Sequence, residues 1–174
     1  MVNNFKRAIV RYSVLLLVFF SFNSYAQKLS KHYISSLQQN GTLYFIYEQN
    51  DFKSKSSDFK YDLTILSTGD SVTMNFSILE KDNVEIDSIQ LVKESLQLTS
   101  GTERIFIEPK KNLWHGRFTT KFLFTDIQKF YSEGVPKIIL YAKKGNMEFT
   151  IKKSAWEDQY ELMNRIFQVI KYNK

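Results

Sequence analysis

The chain has 174 residues, of which 24 are lysine or arginine, 18 are aspartate or glutamate and none is cysteine. The lack of cysteine excludes disulfide bonds, lipid attachment to a cysteine and thiolate ligands for a metal. Clusters of arginine of the kind that bind phosphate groups are also missing, so we expect no nucleic-acid partner.

The first 26 residues have the pattern of a secretory signal peptide. Basic residues at positions 6, 7 and 11 precede a short apolar run, VLLLVFF, at residues 14–20. Ser24-Tyr25-Ala26 then supplies the small residues that a signal peptidase reads, which predicts cleavage before Gln27. A bilayer-spanning helix needs about 20 apolar residues, so we expect no transmembrane span once the signal is removed.

Residues 27–174 are predicted to form one β-rich domain. This segment has 148 residues (174 minus 26), which is enough for a core of its own. It carries 21 basic residues (24 minus 3) and 18 acidic residues, so its net charge is close to balanced. Export without cysteine favours a protein of the bacterial cell envelope, located in the periplasm, on the outer surface or in the medium.

Residues 29–39 (LSKHYISSLQQ) predict a short amino-terminal helix, capped by Ser30 and ended by Asn40-Gly41. Residues 42–49 predict a strand with apolar residues on both faces, which indicates a central strand covered on both sides. Residues 50–58 (NDFKSKSSD) are mainly polar and predict the longest exposed loop of the domain.

Residues 59–79 predict a β-hairpin whose register follows from the alternation of apolar and polar residues. A loop of two residues (Thr68-Gly69) or of four (residues 67–70) places Ile65 opposite Val72. A three-residue loop would turn half of the apolar side chains toward water. The eight side chains that then share one face are Phe59, Tyr61, Leu63, Ile65, Val72, Met74, Phe76 and Ile78.

The apolar positions of the next strand, residues 84–92, change parity near Asp87-Ser88, which predicts a β-bulge. A second hairpin is predicted across Gly101-Thr102, with Leu98 opposite Ile105. Glycine in the first loop position suits the tight turn that such a hairpin needs.

Residues 113–124 predict the longest strand, with one aromatic face and one polar face. Asp126 is predicted to cap the helical turn that follows. Residues 137–152 predict a third hairpin across Lys144-Gly145, with Leu140 opposite Phe149. The polar face of the long strand consists of His115, Arg117, Thr119 and Lys121.

An amphipathic helix is predicted over residues 155–171, beginning at a capping box formed by Ser154 and Glu157. Its apolar stripe is centred on Trp156, Tyr160, Met163, Phe167 and Ile170. The helix is expected to pack on the sheet or across one end of it.

The fold class that follows is mainly β, an antiparallel meander of about nine strands, because short turns join strands that run in opposite directions. The architecture is predicted to be a β-sandwich or, alternatively, a closed or partly open barrel. The short amino-terminal helix and the carboxy-terminal helix complete it.

His115, Arg117 and Lys121 are candidates for contact with a ligand or an anion, although a solvated polar face explains the same pattern. A catalytic base needs a nucleophile and an orienting partner, and the sequence shows neither, so no catalytic residue is predicted. Only two histidines are present and no phosphate-binding glycine loop occurs, so no metal ligand and no cofactor are predicted. The carboxylates at positions 80, 82, 85 and 87 leave a calcium site as a less favoured reading.

Ser71 and Ser88 are candidates for O-glycosylation. Asp70-Ser71-Val72 and Asp87-Ser88-Ile89 both resemble the short aspartate-serine-aliphatic sites at which some exported bacterial proteins carry glycans. The motif spans only three residues, so chance matches are common.

Three functions are compatible with these features. The first is a non-enzymatic β-domain with a structural or partner-binding role in the envelope, the partner being an envelope protein or a glycan. The second is a carrier of a small apolar ligand, since a meander followed by a helix resembles the architecture of lipocalin-type carriers, without their G-x-W motif. The third, least favoured, is an enzyme with a carboxylate pair brought together by the fold.

Overall fold

The computed structural model describes residues 29–173. The chain forms two compact units, Met1–Tyr33 and Ile34–Lys174. Of the first unit the structure describes only residues 29–33, which contain a turn. The predicted signal peptide and its cleavage site before Gln27 lie outside the described residues.

Ten antiparallel strands form one sheet that wraps into a nearly closed barrel. In chain order they are β1 (Tyr33–Gln38), β2 (Gly41–Lys53), β3 (Asp58–Leu66), β4 (Ser71–Glu80), β5 (Ile86–Lys93), β6 (Leu96–Gly101), β7 (Glu103–Lys110), β8 (Leu113–Leu123), β9 (Lys137–Ala142) and β10 (Gly145–Thr150). Helix α1 (Phe124–Phe130) follows β8, and helix α2 (Lys153–Tyr172) follows β10. The predicted class, mainly antiparallel β with a carboxy-terminal helix, is confirmed, and the barrel forms rather than the sandwich.

The strand order is β6-β5-β9-β10-β2-β3-β4-β8-β7, with β1 paired to β2 outside this path. Hairpins join β2, β3 and β4, and also β5 to β6, β7 to β8 and β9 to β10. In contrast, β4 pairs with β8, β5 with β9 and β2 with β10, and these partners are distant in the chain. The connectivity is therefore not the simple meander that the short turns predicted.

The barrel closes where β6 meets β7, and here the predicted Gly101-Thr102 hairpin is wrong. β6 pairs with β5 and β7 pairs with β8, so the two strands run on through Thr102 instead of folding back. The Thr102 N–H donates to the Asp87 carbonyl over 3.1 Å, and Thr120 Oγ1 donates to the Gly101 carbonyl over 2.8 Å. The alternation of apolar and polar side chains along a strand is compatible with any antiparallel partner strand. The actual partners are β5 for β6 and β8 for β7.

The predicted hairpin of residues 59–79 is confirmed. Ile65 lies opposite Val72 and Tyr61 opposite Phe76, and the strands are joined by residues 67–70. All eight apolar side chains of its inner face are at most 3 % exposed. The hairpin forms one wall of the barrel core.

Two other register predictions have different outcomes. The β-bulge at Asp87-Ser88 is confirmed, because the pairing of β5 with β9 shifts between Ile86 and Ser88. The last hairpin is displaced by two residues, so that Leu140 lies opposite Met147 and not Phe149. A shift of two keeps the same side chains on the inner face, which is why alternation alone did not reveal it.

The predicted amino-terminal helix is wrong. Residues 33–38 form strand β1, which is joined to β2 by a short turn that ends at Gly41, with φ at +129°. Ile34 is 54 % exposed and Leu37 is 84 % exposed, so these apolar side chains of the segment bury little surface. Pairing with β2 decides the conformation, since local helix propensity is weak over so short a segment.

The predicted exposed loop at residues 50–58 is mostly strand. β2 continues to Lys53, and only residues 54–57 connect it to β3. Phe52 is fully buried, and its ring lies 6.2 Å from the ring of Trp156. β2 is covered on one side only, because Phe45 on its outer face is 42 % exposed.

Neither helix has the cap that the sequence predicted. At the start of α1 the Phe124 N–H donates to the Asp70 carbonyl over 2.7 Å, and no side chain of the described residues caps the helix. Asp126 lies in the first turn, where it pairs with Lys129 over 3.1 Å. At the start of α2 the N-cap position is Lys152, also without a side-chain bond, so the capping box of Ser154 and Glu157 does not form. Side-chain caps therefore do not fix the amino-terminal ends of these helices.

Lys93 holds the end of α1. Its Nζ donates to the carbonyls of Lys129 and Phe130 over 2.8 and 2.7 Å, and also to Ser132 Oγ. The Lys93 side chain is almost fully buried, and burial lowers its pKa. A charged donor bonded to free carbonyls at a helix end is a favourable arrangement.

Aromatic side chains of α1, α2 and the strands fill the barrel interior. Trp156 of α2 contacts the rings of Phe130 and Tyr131 at centroid distances of 5.3 Å, and Phe167 contacts Phe124 at 5.4 Å. Met163, Ile166 and Ile170 of α2 are all unexposed, as predicted for the apolar face of this helix. Burial of large apolar side chains stabilises the fold without any disulfide.

A small polar network crosses this interior. The hydroxyls of Tyr61 and Tyr131 lie 2.6 Å apart, and Gln159 Nε2 of α2 donates to the Tyr61 hydroxyl over 2.7 Å. Gln159 is 4 % exposed and was not predicted to face the core. Burial raises the pKa of both phenols, so they stay neutral in the folded protein.

We expect the substitution Tyr131→Phe to change how stability depends on pH. Below about pH 10 the wild type should be more stable by about 1 kcal/mol, because the Tyr61–Tyr131 bond is present. Above about pH 10 the unfolded chain ionises Tyr131 and the folded chain does not, so this advantage falls by about 1.4 kcal/mol per pH unit. Urea unfolding of both proteins from about pH 8 to about pH 11 measures it.

Tyr172→Phe is the matched control, because the Tyr172 side chain is 89 % exposed. It should leave the wild-type pH dependence unchanged. Identical pH slopes for wild type and Tyr131→Phe would contradict the effect assigned to burial of Tyr131.

Candidate functional site

A groove of about 570 Å³ lies on the outer face of the barrel. Its floor is formed by outward side chains of β3, β4 and β8, and its two sides by β7 and by residues 54–57 of the β2–β3 connection. Its volume is within the range of ligand-binding pockets. We call this feature the outer groove.

Cross-strand pairing sets the positions of the floor residues. Lys60 of β3, Ser77 of β4, Arg117 of β8 and Phe106 of β7 are partners in successive strand pairs, so they form one row across the sheet. Side chains opposite each other on one face of a sheet are in contact range. The row therefore runs the width of the outer groove.

Arg117 is bound within the protein. Its Nη2 lies 2.5 Å from Asp62 Oδ2, and its Nη1 donates to Ser77 Oγ over 3.2 Å. Asn75 Nδ2 donates to the other oxygen of Asp62 over 2.9 Å. The Asp62 carboxylate balances the charge of the Arg117 guanidinium. Arg117 is therefore held in a neutral ion pair and is not a free anion-binding site.

His115 occupies the next row. Its Nδ1 lies 3.1 Å from Glu108 Oε1 on β7, and its ring meets the ring of Phe106 edge to face at 5.2 Å. His115 is half-buried, whereas Phe106 is 36 % exposed. The histidine thus orients an aromatic side chain at the rim of the outer groove.

Lys121, the third predicted contact residue, lies apart from the other two. It pairs with Thr73, four residues along β8 from Arg117, which is about 13 Å at the rise of a strand. Its side chain is exposed and does not line the outer groove. The fold brings His115 and Arg117 together and leaves Lys121 outside.

The lysines at the rim differ in their pairing. Lys60 lies 3.4 Å from Glu48. Lys55, in the β2–β3 connection, and Lys110, at the end of β7, form no ion pair with the part of the chain that the structure describes. These two amines stand on different sides of the outer groove.

The two serines predicted as glycosylation sites lie in different surroundings. Ser71 is exposed at the start of β4, beside the turn of residues 67–70. Ser88 is half-buried in β5 at the bulge, opposite Gly101 and Tyr141. Of the two, Ser71 offers the accessible hydroxyl.

Within residues 29–173 no group of three or more histidines, aspartates or glutamates is placed to hold a metal ion. Two of the four carboxylates considered for calcium are in ion pairs: Glu85 pairs with Lys143 over 3.1 Å and Asp82 with Lys144 over 3.9 Å. The hydrogen bond from Lys143 is the main cause that lowers the pKa of Glu85. Among the helices described, none has the length and apolar composition to cross a membrane.

Sequence reasoning missed most of the outer groove. The register of the 59–79 hairpin places Asp62 opposite Asn75, so this polar pair was readable from the sequence. Its contact with Arg117 depends on the pairing of β4 with β8, which are far apart in the chain. Phe106 was missed because β7 was predicted to pair with β6.

Comparisons of this chain with models of protein families, with curated proteins and with solved structures gave no match.

We expect the Asp62–Arg117 pair to be coupled in stability. In a double-mutant cycle of Asp62→Ala and Arg117→Ala, the coupling should be about 1 kcal/mol, because both side chains are about three-quarters buried. The control cycle uses Glu161 and Arg165, an exposed pair on α2, where about 0.4 kcal/mol is expected. Equal couplings from urea unfolding of the two sets would show that Arg117 is not held by Asp62.

Proposed function

We propose that the protein is an exported, non-enzymatic β-domain of the bacterial cell envelope that binds a partner in the outer groove. The observation that carries the binding role is the groove itself, a concave surface that combines Phe106, a pre-formed Arg117–Asp62 pair and two lysines without ion pairs. Convergent polar groups beside an exposed aromatic ring are typical of recognition sites.

Export is supported by the amino-terminal pattern of basic, apolar and small residues before Gln27. Cell fractionation distinguishes the three possible locations, which are the periplasm, the outer surface and the medium. The lack of cysteine agrees with a domain that needs no oxidising compartment to fold.

Carriage of a small apolar ligand inside the barrel is the alternative. It is less favoured because side chains of α2 such as Trp156 and Phe167 occupy the interior and are at most 1 % exposed. An enzyme with a carboxylate site is the least favoured reading, since the carboxylates of the outer groove, Glu48 and Asp58, are each paired with a lysine.

The export prediction is tested on the protein as the bacterium makes it. Fractionated cells should contain the protein outside the cytoplasm, and intact-mass analysis should find the chain beginning at Gln27. A substitution Ala26→Lys should block processing, because a signal peptidase requires a small residue there. Full-length chain in the cytoplasm would contradict export. Added mass that matches sugar units and is lost in Ser71→Ala or Ser88→Ala would reveal glycosylation at that serine.

The binding role is tested by retention on envelope material. Purified protein should sediment with the insoluble envelope fraction of the source cells, and Phe106→Ala should reduce the sedimenting fraction several-fold because it removes the exposed ring of the outer groove. Phe45→Ala is the matched control, since Phe45 is similarly exposed but lies on β2, outside the groove. Equal retention of all three proteins would place the binding surface elsewhere.

A further inference from the structure

The residual charge of the outer groove points to the class of its ligand. Two carboxylates line it, and both are paired, Glu48 with Lys60 and Asp58 with Lys53 at 3.9 Å. Among the lining cations, Lys55 and Lys110 form no ion pair with the part of the chain described here. Glu108 lies between Phe106 and Lys110 on the same face of β7 and contacts His115 over 3.1 Å. Two lysine charges against this one carboxylate leave the rim of the groove net positive, which favours a ligand that bears carboxylates.

The floor of the outer groove offers side-chain groups and not backbone groups for hydrogen bonding. β3, β4 and β8 are each paired on both sides, so their N–H and C=O groups are used within the sheet. What remains is a set of side-chain groups, which includes the Ser77 hydroxyl, the Lys60 amine and the Arg117 guanidinium. Such groups match the neighbouring hydroxyls of a sugar better than an extended peptide, which binds through a free strand edge.

Phe106 supplies the apolar part of the recognition surface. Its ring is 36 % exposed and is held edge to face against His115. One side of a pyranose ring carries mainly C–H bonds, which pack against an aromatic ring with little ordering cost when that ring is already fixed.

From these features we infer that the outer groove binds an acidic oligosaccharide, with sugar carboxylates at Lys55 and Lys110 and a sugar ring against Phe106. This inference rests on the proposed binding role of the groove. It adds the chemical class of the ligand and assigns the two lysines as the residues that select for negative charge.

The test is calorimetric titration of the purified chain with trigalacturonate, an oligosaccharide of three uronic acids. Its methyl ester, which lacks the negative charges, and pentaglutamate, an acidic peptide, are the comparison probes. We expect trigalacturonate to bind, and the ester and the peptide each to bind at least about tenfold more weakly. Lys55→Gln and Lys110→Gln should each weaken trigalacturonate binding about tenfold through loss of a charge-assisted bond.

Lys171→Gln, an exposed lysine at the end of α2, is the charge-matched control and should bind like the wild type. The inference would be overturned if the methyl ester bound equally well, if pentaglutamate bound more tightly, or if all three lysine variants lost binding equally. It would also be overturned if trigalacturonate did not bind at millimolar concentration. If trigalacturonate fails while retention on envelope material still depends on Phe106, only the ligand class is wrong. If that dependence is also absent, the proposed binding role is wrong as well.

Discussion

Closure of the sheet at Thr102 is the constraint on which the rest of the structure depends. Without a disulfide, the chain must shield every strand edge and every inner apolar side chain by packing alone. Running β6 directly into β7 brings the two ends of the sheet together, and the bonds from Thr102 to Asp87 and from Thr120 to Gly101 fasten them. An open sheet of this length would leave its inner face in water.

Closure creates an interior against which the apolar face of helix α2 then packs. Trp156 and Phe167 pack among the aromatic side chains of α1 and the strands, and Gln159 connects to the Tyr61–Tyr131 pair. The bonds among these buried groups favour this packing, because breaking them would leave buried hydroxyl and amide groups without partners. Since side chains of the protein itself occupy the inside, the outer groove lies on the outside of the barrel.

The sequence predicted correctly those features that depend on neighbouring residues only. The register of the 59–79 hairpin and the bulge at Asp87-Ser88 both follow from a side-chain period of two, and both are present. Strand partners are a long-range property. The alternation of side chains in β6 and β7 could not distinguish a hairpin between these two strands from pairing with β5 and β8. Phe52 is a core residue, but it was assigned to a loop because its neighbours in sequence are polar. The same limit applies to the site, where Asp62 and Asn75 were readable as a pair and their contact with Arg117 was not.

The floor and the rim of the outer groove differ in net charge. The Arg117–Asp62 pair is about three-quarters buried and is bonded to Ser77 and Asn75, so it gives shape with little net charge. Lys55 and Lys110 lie at the exposed rim, where water and salt screen a charge strongly. Attraction of an acidic ligand by the rim should therefore weaken as ionic strength rises, whereas packing against Phe106 should not. A ligand bound as proposed would therefore be selected both by its charge, in a salt-dependent way, and by its apolar surface, in a way that depends little on salt.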